Sequence, residues 1–478
     1  MLSTRTKLLY GVGFSARGIK DGLFQIFLFF YFNQVLGLDP AFAGSASLIA
    51  LLFDAVTDPI VGLWSDRFRS ERWGRRHPFM VWSAVPLGIF TYLLFLPPSG
   101  LGQIGLFIWL TTFSVLVRAA LTFFVVPHIS LGAELTEDYN ERTSVTAYRI
   151  MFAALIAPIV MIIGFTQFFK GIDGDNGMFN AAAYPKFALF CAVLMIISIL
   201  IMVWGTRHVI PSLPQVAKGN DRPSFMQMLR GFGVAVRMKS FVTLVGYIMM
   251  VYVGLGIGII LTTYFMTYFF ELTESEMALL PIASAVGALV AFALAPRMSK
   301  RYDKKKSAII STILFGLFFS APFILRLLGL FPENHTAALL PTYVLLITVA
   351  YGFLWVAMSL GASMMADIVD EYEVKSGLRQ EGLFFSVMSF SHKMTTGLGT
   401  FLAGLILSYI AFPVQSDVSA VPAEIIRDLG IVGGPVLLAI NWASLLFLFN
   451  YPLTKETYQK IRSRLDGVSK LKKRKHFS

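Results

Sequence analysis

Two carboxylates, Asp54 and Asp58, stand one helical turn apart in the stretch Leu51–Pro78. Residues at i and i+4 share a helix face, so both look the same way, with Thr57 on an adjoining strip. A carboxylate at bilayer depth costs roughly 2.5–3.5 kcal/mol, and two like charges cost more. The pair survives there if it is protonated, paired with cations or coordinating a metal ion. That is the chemistry of an intramembrane cation or proton site. The competing reading leaves one Asp neutral and pairs the other with an arginine elsewhere in the bundle.

The elements that hold this pair follow from composition. The chain has 478 residues, 56% hydrophobic and 14% charged, with 44 Phe, and a mean hydropathy of +0.69. A soluble protein of this size cannot hide so much apolar surface, so the class is an all-α polytopic membrane protein of the cell (inner or plasma) membrane. The net charge of +12 sits in short loops and a tail between apolar spans, which is the positive-inside pattern and excludes a nucleic-acid partner. Membrane lipids, anionic ones above all, are the expected surroundings. The single cysteine, Cys191, lies in an apolar span and rules out an internal disulfide. Arg17, Lys20 and Asp21 interrupt the first apolar stretch, which argues against a cleaved signal peptide.

A bilayer demands spans of about 20 apolar residues. Twelve are expected, near 8–35, 42–63, 79–96, 104–130, 145–168 and 186–204, then 241–270, 278–297, 307–329, 339–366, 382–411 and 431–450. The chain thus divides into a six-helix half (1–204), a central cytosolic loop (205–240), a second six-helix half (241–450) and a basic cytosolic tail (451–478). Basic residues follow the even-numbered spans, which places both termini in the cytosol. Two such halves fit a secondary transporter working by alternating access, and a monomer is expected. No Walker motif, HExxH or Cys/His cluster is present, so no enzyme and no cofactor beyond a coupling cation is expected.

A repeat supports the two halves: GLWSDRFRSERWGRRHPF after the second span has a weaker counterpart, LAPRMSKRYDKKKSAI, after the eighth. Such loops bind helix ends and neighbouring acids on the cytosolic side. Gate candidates are Asp66 and Arg67, with Gly62 allowing close helix approach, then Arg142, Asp367, Asp370 and Arg379. Asp367, Asp370 and Glu371 are expected to pair with Lys375 and Arg379. The plainer reading is that these clusters only obey the positive-inside rule, notably at Arg72, Arg75 and Arg76. His128 and His392 read as ordinary hydrogen-bonded helix residues. Trp355 and Tyr264 are candidates to stack a sugar ring or simply pack. The run Gly254–Gly258 reads as close helix packing or a kink.

The run Gly62-x-x-x-Asp66-Arg67 before Trp73-Gly74-Arg75-Arg76 resembles the cytosolic signature of the major facilitator superfamily. With Asp54-x-x-x-Asp58-Pro59 ahead of it, the chain is similar to the glycoside–pentoside–hexuronide:cation symporters, in their melibiose permease-like branch. Tyr10-Gly11, Ala366-Asp367-x-x-Asp370 and Gly377-x-Arg379-x-Glu381-Gly382 agree, so the resemblance covers essentially the whole chain. It implies that Asp54 and Asp58 bind the coupling cation (Na⁺, Li⁺ or H⁺), that Thr122 completes the site, and that Thr57 replaces an asparagine there. It also implies that Arg149 and Lys393 face the substrate.

Two departures accompany it. The family's sugar-binding aspartate on the fourth span is Val125 here, and that on the first aligns near Gly18, with Asp21 the nearest substitute. Arg118 sits one turn before Thr122 inside the fourth span, where it needs a carboxylate or an anionic ligand. With Arg17, Lys20, Arg149 and Lys393 also cationic, one reading is an anionic small-molecule substrate, such as a uronide or a sulfonated sugar. The other is that Arg118 neutralises Asp54 or Asp58 while Arg17 pairs with Asp21. The rival substrate classes are lysophospholipids and organic acids. A transporter-shaped receptor is the rival outside transport, though the longest loop holds only residues 205–240 and no effector domain.

Overall fold

The computed structural model describes residues 2–68, 70, 72–136, 138–171, 176–212, 233–376 and 381–464, and every regular element among them is helical. Helix α1 runs as two pieces, Thr4–Gly13 and Ser15–Gly22, then through π-helical turns at Leu23–Leu28 and Tyr31–Val35. It is followed by α2 (Pro40–Arg67), α3 (His77–Leu94), α4 (Gln103–Glu134), α5 (Tyr139–Ile163) and α6 (Ala183–Thr206). The second series is α7 (Lys239–Tyr264), α8 (Leu279–Tyr302), α9 (Lys304–Leu327), α10 (Leu339–Ser376), α11 (Glu381–Tyr409) and α12 (Leu437–Phe449). Among the described residues ten helices are long and apolar enough to cross a membrane. The stretches 4–35 and 381–409 occupy the places expected of the first and eleventh spans.

Local chemistry explains several ends. Asp39 caps α2, accepting the Ala41 N–H at 2.8 Å, and Pro40 opens the helix where its missing N–H costs nothing. Asp138 caps α5 by accepting the Glu141 N–H at 2.8 Å. Helix α10 outruns the expected 339–366 by most of three turns. Beyond Ala366 it buries Ile368, Val369 and Tyr372 and adds polar contacts, among them the Glu371–Lys375 i,i+4 pair at 2.7 Å.

The chain forms two compact units. The first comprises Met1–Gly219, Ile259–Pro281 and Thr400–Ile426; the second comprises Asn220–Gly258, Ile282–Gly399 and Arg427–Ser478. Within the first unit, α1 is clasped by the end of α7 and by the segment after α11. Tyr264 Oη donates to Asn33 Oδ1, and Tyr268 Oη donates to Gln34 Oε1 at 2.7 Å and to the Ser416 carbonyl at 2.9 Å. Thr263 Oγ1 donates to the Ile26 carbonyl, Gln34 Nε2 to that of Pro413, and Gln415 Nε2 to that of Val35, at 3.0–3.1 Å. Tyr264 is therefore buried in this clasp, and its ring is not available to a sugar.

In the second unit the glycine run of α7 meets α11 backbone to backbone. A Cβ on Gly399 would lie 2.7 Å from Gly256 Cα and 2.9 Å from the Val253 carbonyl oxygen. Main chain cannot swing aside as a side chain can, so Gly399→Ala is expected to cost about 1–3 kcal/mol. Thermal unfolding in detergent checks this, with Gly62→Ala as the mild control. A Cβ on Gly62 meets only Val126 Cγ1, at an ordinary 3.6 Å, so close approach is not that glycine's role.

Candidate functional site

Helices α2 and α4 face each other through two rungs. Arg118 donates to Asp54 Oδ2 at 2.8 Å. One turn further along both helices, Thr122 Oγ1 donates to Asp58 Oδ1 at 2.9 Å. Both rungs join residues 64 apart in sequence, as parallel helices with one i/i+4 ladder require. Asp54 is 6% exposed, and its other oxygen, Oδ1, is buried without a hydrogen-bond partner. Thr57 Oγ1 donates back to the Phe53 carbonyl at 3.1 Å. The Thr57 and Thr122 hydroxyls have thus spent their protons and keep their lone pairs.

Carboxylate oxygens and hydroxyl lone pairs are the donors that a hard cation takes. Among the described residues no group of three or more His, Cys, Asp or Glu side chains is placed to hold a metal ion. A cation on Asp54 and Asp58 therefore depends on hydroxyl or water oxygens to complete its shell. With Arg118 beside them, the two carboxylates present one net negative charge.

A second, cationic group lies on α1 and α5 in the same unit. Arg17 Nε is 3.5 Å from Asp21 Oδ2, and Lys20 Nζ is 2.8 Å from Asp21 Oδ1. The Arg17 and Arg149 guanidiniums stand 5.5 and 5.2 Å from the centre of the Phe14 ring. Arg149 Nε is buried with no hydrogen-bond partner. This group carries two net positive charges, in contrast to the ladder. The first-unit residues singled out from sequence fall into two adjoining sets, Asp54, Thr57, Asp58, Arg118 and Thr122 in one, Arg17, Lys20, Asp21 and Arg149 in the other, with Lys20 in electrostatic reach of Arg118 and Asp54. Trp355, 43% exposed on α10, and Lys393 on α11 belong to the second unit.

The basic loop after α2 is more than a topology signal. Arg76 is 2% exposed. It donates to Ser65 Oγ at 2.7 Å, to Asp66 Oδ1, and to Glu134 Oε1 at 2.8 and 3.0 Å. Arg75 Nη2 reaches the same Glu134 at 2.8 Å. Glu134, at the end of α4, lies 58 residues from Arg76, has no distinguishing spacing in the sequence and was not singled out from it. Arg67 is exposed, and Arg142 is exposed with its Nε on the Thr136 carbonyl at 2.9 Å.

The repeat in the second unit does the same with different residues. Lys304 Nζ sits 2.7 Å from both Asp367 oxygens, and Asp370 accepts from Tyr458 Oη at 2.9 Å, with Arg462 at 3.5 Å. Burial, then the hydrogen bond to Asp370, pushes the Tyr458 phenol up to about 12, so it remains a donor at physiological pH. Of the acids expected to pair with Lys375, Glu371 does so at 2.7 Å one turn away, whereas Asp367, two turns away, takes Lys304 instead. Arg379 lies outside the described residues.

The family model described as MFS/sugar transport protein matches residues 9–455. The putative glycoside/cation symporter YagG of Escherichia coli (strain K12) is 27% identical over 97% of this chain and 95% of its own. The glucuronide carrier protein homolog of the same organism is 25% identical over 98% and 97%. Among solved structures, a bacterial homologue of the iron transporter ferroportin in its inward-facing state aligns at a TM-score of 0.62 and 14% identity. That alignment covers 94% of this chain and 100% of the other, and it bears on the fold alone.

Proposed function

Because the chain belongs to the MFS/sugar transport protein family, a family of membrane carriers and not of enzymes, we propose that it couples a monovalent cation to uptake of a glycoside bearing a carboxylate. It is a multi-pass protein of the cell membrane. The cation takes Asp54 and Asp58, with Thr122 and Thr57 as oxygen donors, and cancels the one negative charge that Arg118 leaves there. The observation that carries this reading is the buried, unpartnered Asp54 Oδ1 beside the Asp58–Thr122 rung. The acidic glycoside answers the surplus positive charge of Arg17, Lys20 and Arg149, and two relatives are named for glycoside and glucuronide transport. Trp355 and Lys393 are assigned to substrate recognition as well. Asp66, Arg67, Arg142, Asp367, Asp370 and Arg379 are assigned to gating. Twelve spans with both termini in the cytosol and a monomeric carrier complete the proposal.

Coupling of this kind is reciprocal: cation tightens substrate and substrate tightens cation by the same factor. The test is uptake into reconstituted vesicles under imposed Na⁺, Li⁺ or H⁺ gradients. Neutral glycosides, uronides, organic acids and lysophospholipids are offered in turn. Cation-driven accumulation of a uronide is expected. Uptake that ignores every gradient, or that depends on alkyl-chain length, overturns the proposal.

A further inference from the structure

We infer that Phe14 is the positioning residue that sets the Arg17 and Arg149 guanidiniums for the substrate carboxylate, an inference that rests on the symport reading above. Phe14 stands at the break between the two α-helical pieces of α1, its N–H on the Gly11 carbonyl at 2.9 Å. Its ring is buried at 5% exposure and takes both guanidiniums, at 5.5 and 5.2 Å.

The ring is itself held by a column that bridges α1 and α4. Phe14 stacks on His128 at 5.4 Å and 20°, and His128 stacks on Tyr10 at 4.2 Å and 9°. The outer pair is locked reciprocally. Tyr10 Oη donates to the His128 carbonyl at 3.0 Å, and His128 Nε2 bonds the Tyr10 carbonyl at 2.9 Å. The fit is tight, for a Cβ on Gly132 would fall 2.2 Å from Tyr10 Oη, and one on Gly11 would meet Phe152 at 2.6 Å. The column cannot slide without breaking these contacts.

The choice of an aromatic ring has a chemical meaning. A carboxylate holding a guanidinium consumes its donors and cancels its charge, as Asp54 does to Arg118. A ring face attracts the cation but accepts none of its in-plane N–H groups. Arg149 donates to the Tyr10 hydroxyl yet keeps a buried Nε without a partner, and Arg17 makes a 3.5 Å contact with Asp21. Both therefore keep donors at a fixed place for a carboxylate. His128 acts through Phe14, and Tyr10 acts through Phe14 and through its own bond to Arg149; neither is expected to touch substrate.

Uptake of p-nitrophenyl glucuronide and p-nitrophenyl glucoside into vesicles, with the full-length protein, tests this. Phe14→Leu is expected to raise the KM for the glucuronide about tenfold, the loss of two cation–ring contacts. Its maximal rate, its half-saturating cation concentration and its KM for the glucoside should stay within about twofold, and Phe14→Tyr should restore the glucuronide KM. A KM rise shared by both glycosides, or a fall in maximal rate alone, makes Phe14 a packing residue and overturns the inference. Wild-type accumulation of the glucoside only would leave symport standing and sink this inference. If no gradient drives uptake, the parent reading falls. Glucuronide-induced thermal stabilisation in detergent then decides the platform: present in wild type and lost in Phe14→Leu supports it, and any other pattern refutes it. Should Phe14→Leu not fold, Arg149→Lys keeps the charge but not the fork, and an unchanged glucuronide KM refutes the inference.

Discussion

Asp58→Asn abolishes cation-driven accumulation of glycoside in reconstituted vesicles, while exchange of glycoside down its own gradient persists. The amide still accepts the Thr122 hydroxyl, which bonds Asp58 Oδ1 at 2.9 Å, so the contact between α2 and α4 survives. The charge does not. Arg118 and Asp54 alone sum to zero and offer a cation no net attraction. Losing a charged ligand at a partly buried site is worth about 3–5 kcal/mol, which lowers cation affinity by about 100-fold or more. The measurement is uptake with and without an imposed gradient, together with cation-dependent thermal stabilisation of the purified protein. Accumulation that survives the substitution would make both carboxylates structural, and the cation half of the proposal would fall.

Arg76→Ala is expected to be the most destabilising single change in the basic loop, by about 3–5 kcal/mol. Arg76 is almost fully buried and bridges Ser65, Asp66 and Glu134. Its removal takes from Asp66 and Glu134 the buried guanidinium that joins them and leaves Arg75 on Glu134. Arg72→Ala, at an exposed position in the same loop, should change stability by less than about 0.5 kcal/mol. Thermal unfolding of the two variants in one detergent separates these values. Equal melting temperatures would show that the loop holds its charges as a diffuse cloud and not through one buried guanidinium.

The helical scaffold was legible because apolar runs of bilayer length leave few other structures open. Its details were hidden where a helix runs on through charged residues, as beyond Ala366 in α10. The Asp54–Asp58 pair was visible by spacing, and Arg118 and Thr122 by their own one-turn spacing. Their meeting across 64 residues is tertiary; the need of a deep arginine for a carboxylate and the family resemblance pointed to it, but no local spacing chose Asp54 for Arg118. Charge partners were the hardest to read. Arg72, Arg75 and Arg76 look alike in a string of letters, and only burial separates the bridging arginine from the exposed one. Tyr458 likewise lies in a tail that composition marks only as basic, yet its hydroxyl holds Asp370.

The clasp around α1 has a consequence for the setting in which such a protein works. Its bonds, through Asn33, Gln34, Thr263, Tyr264, Tyr268 and Gln415, involve no ionised group. The loop contacts Arg76–Glu134 and Lys304–Asp367 are ionic. Salt screens exposed charge pairs over a distance of about 8 Å at physiological strength and leaves neutral hydrogen bonds nearly untouched. The clasp around α1 is thus fastened by contacts that added salt leaves nearly untouched.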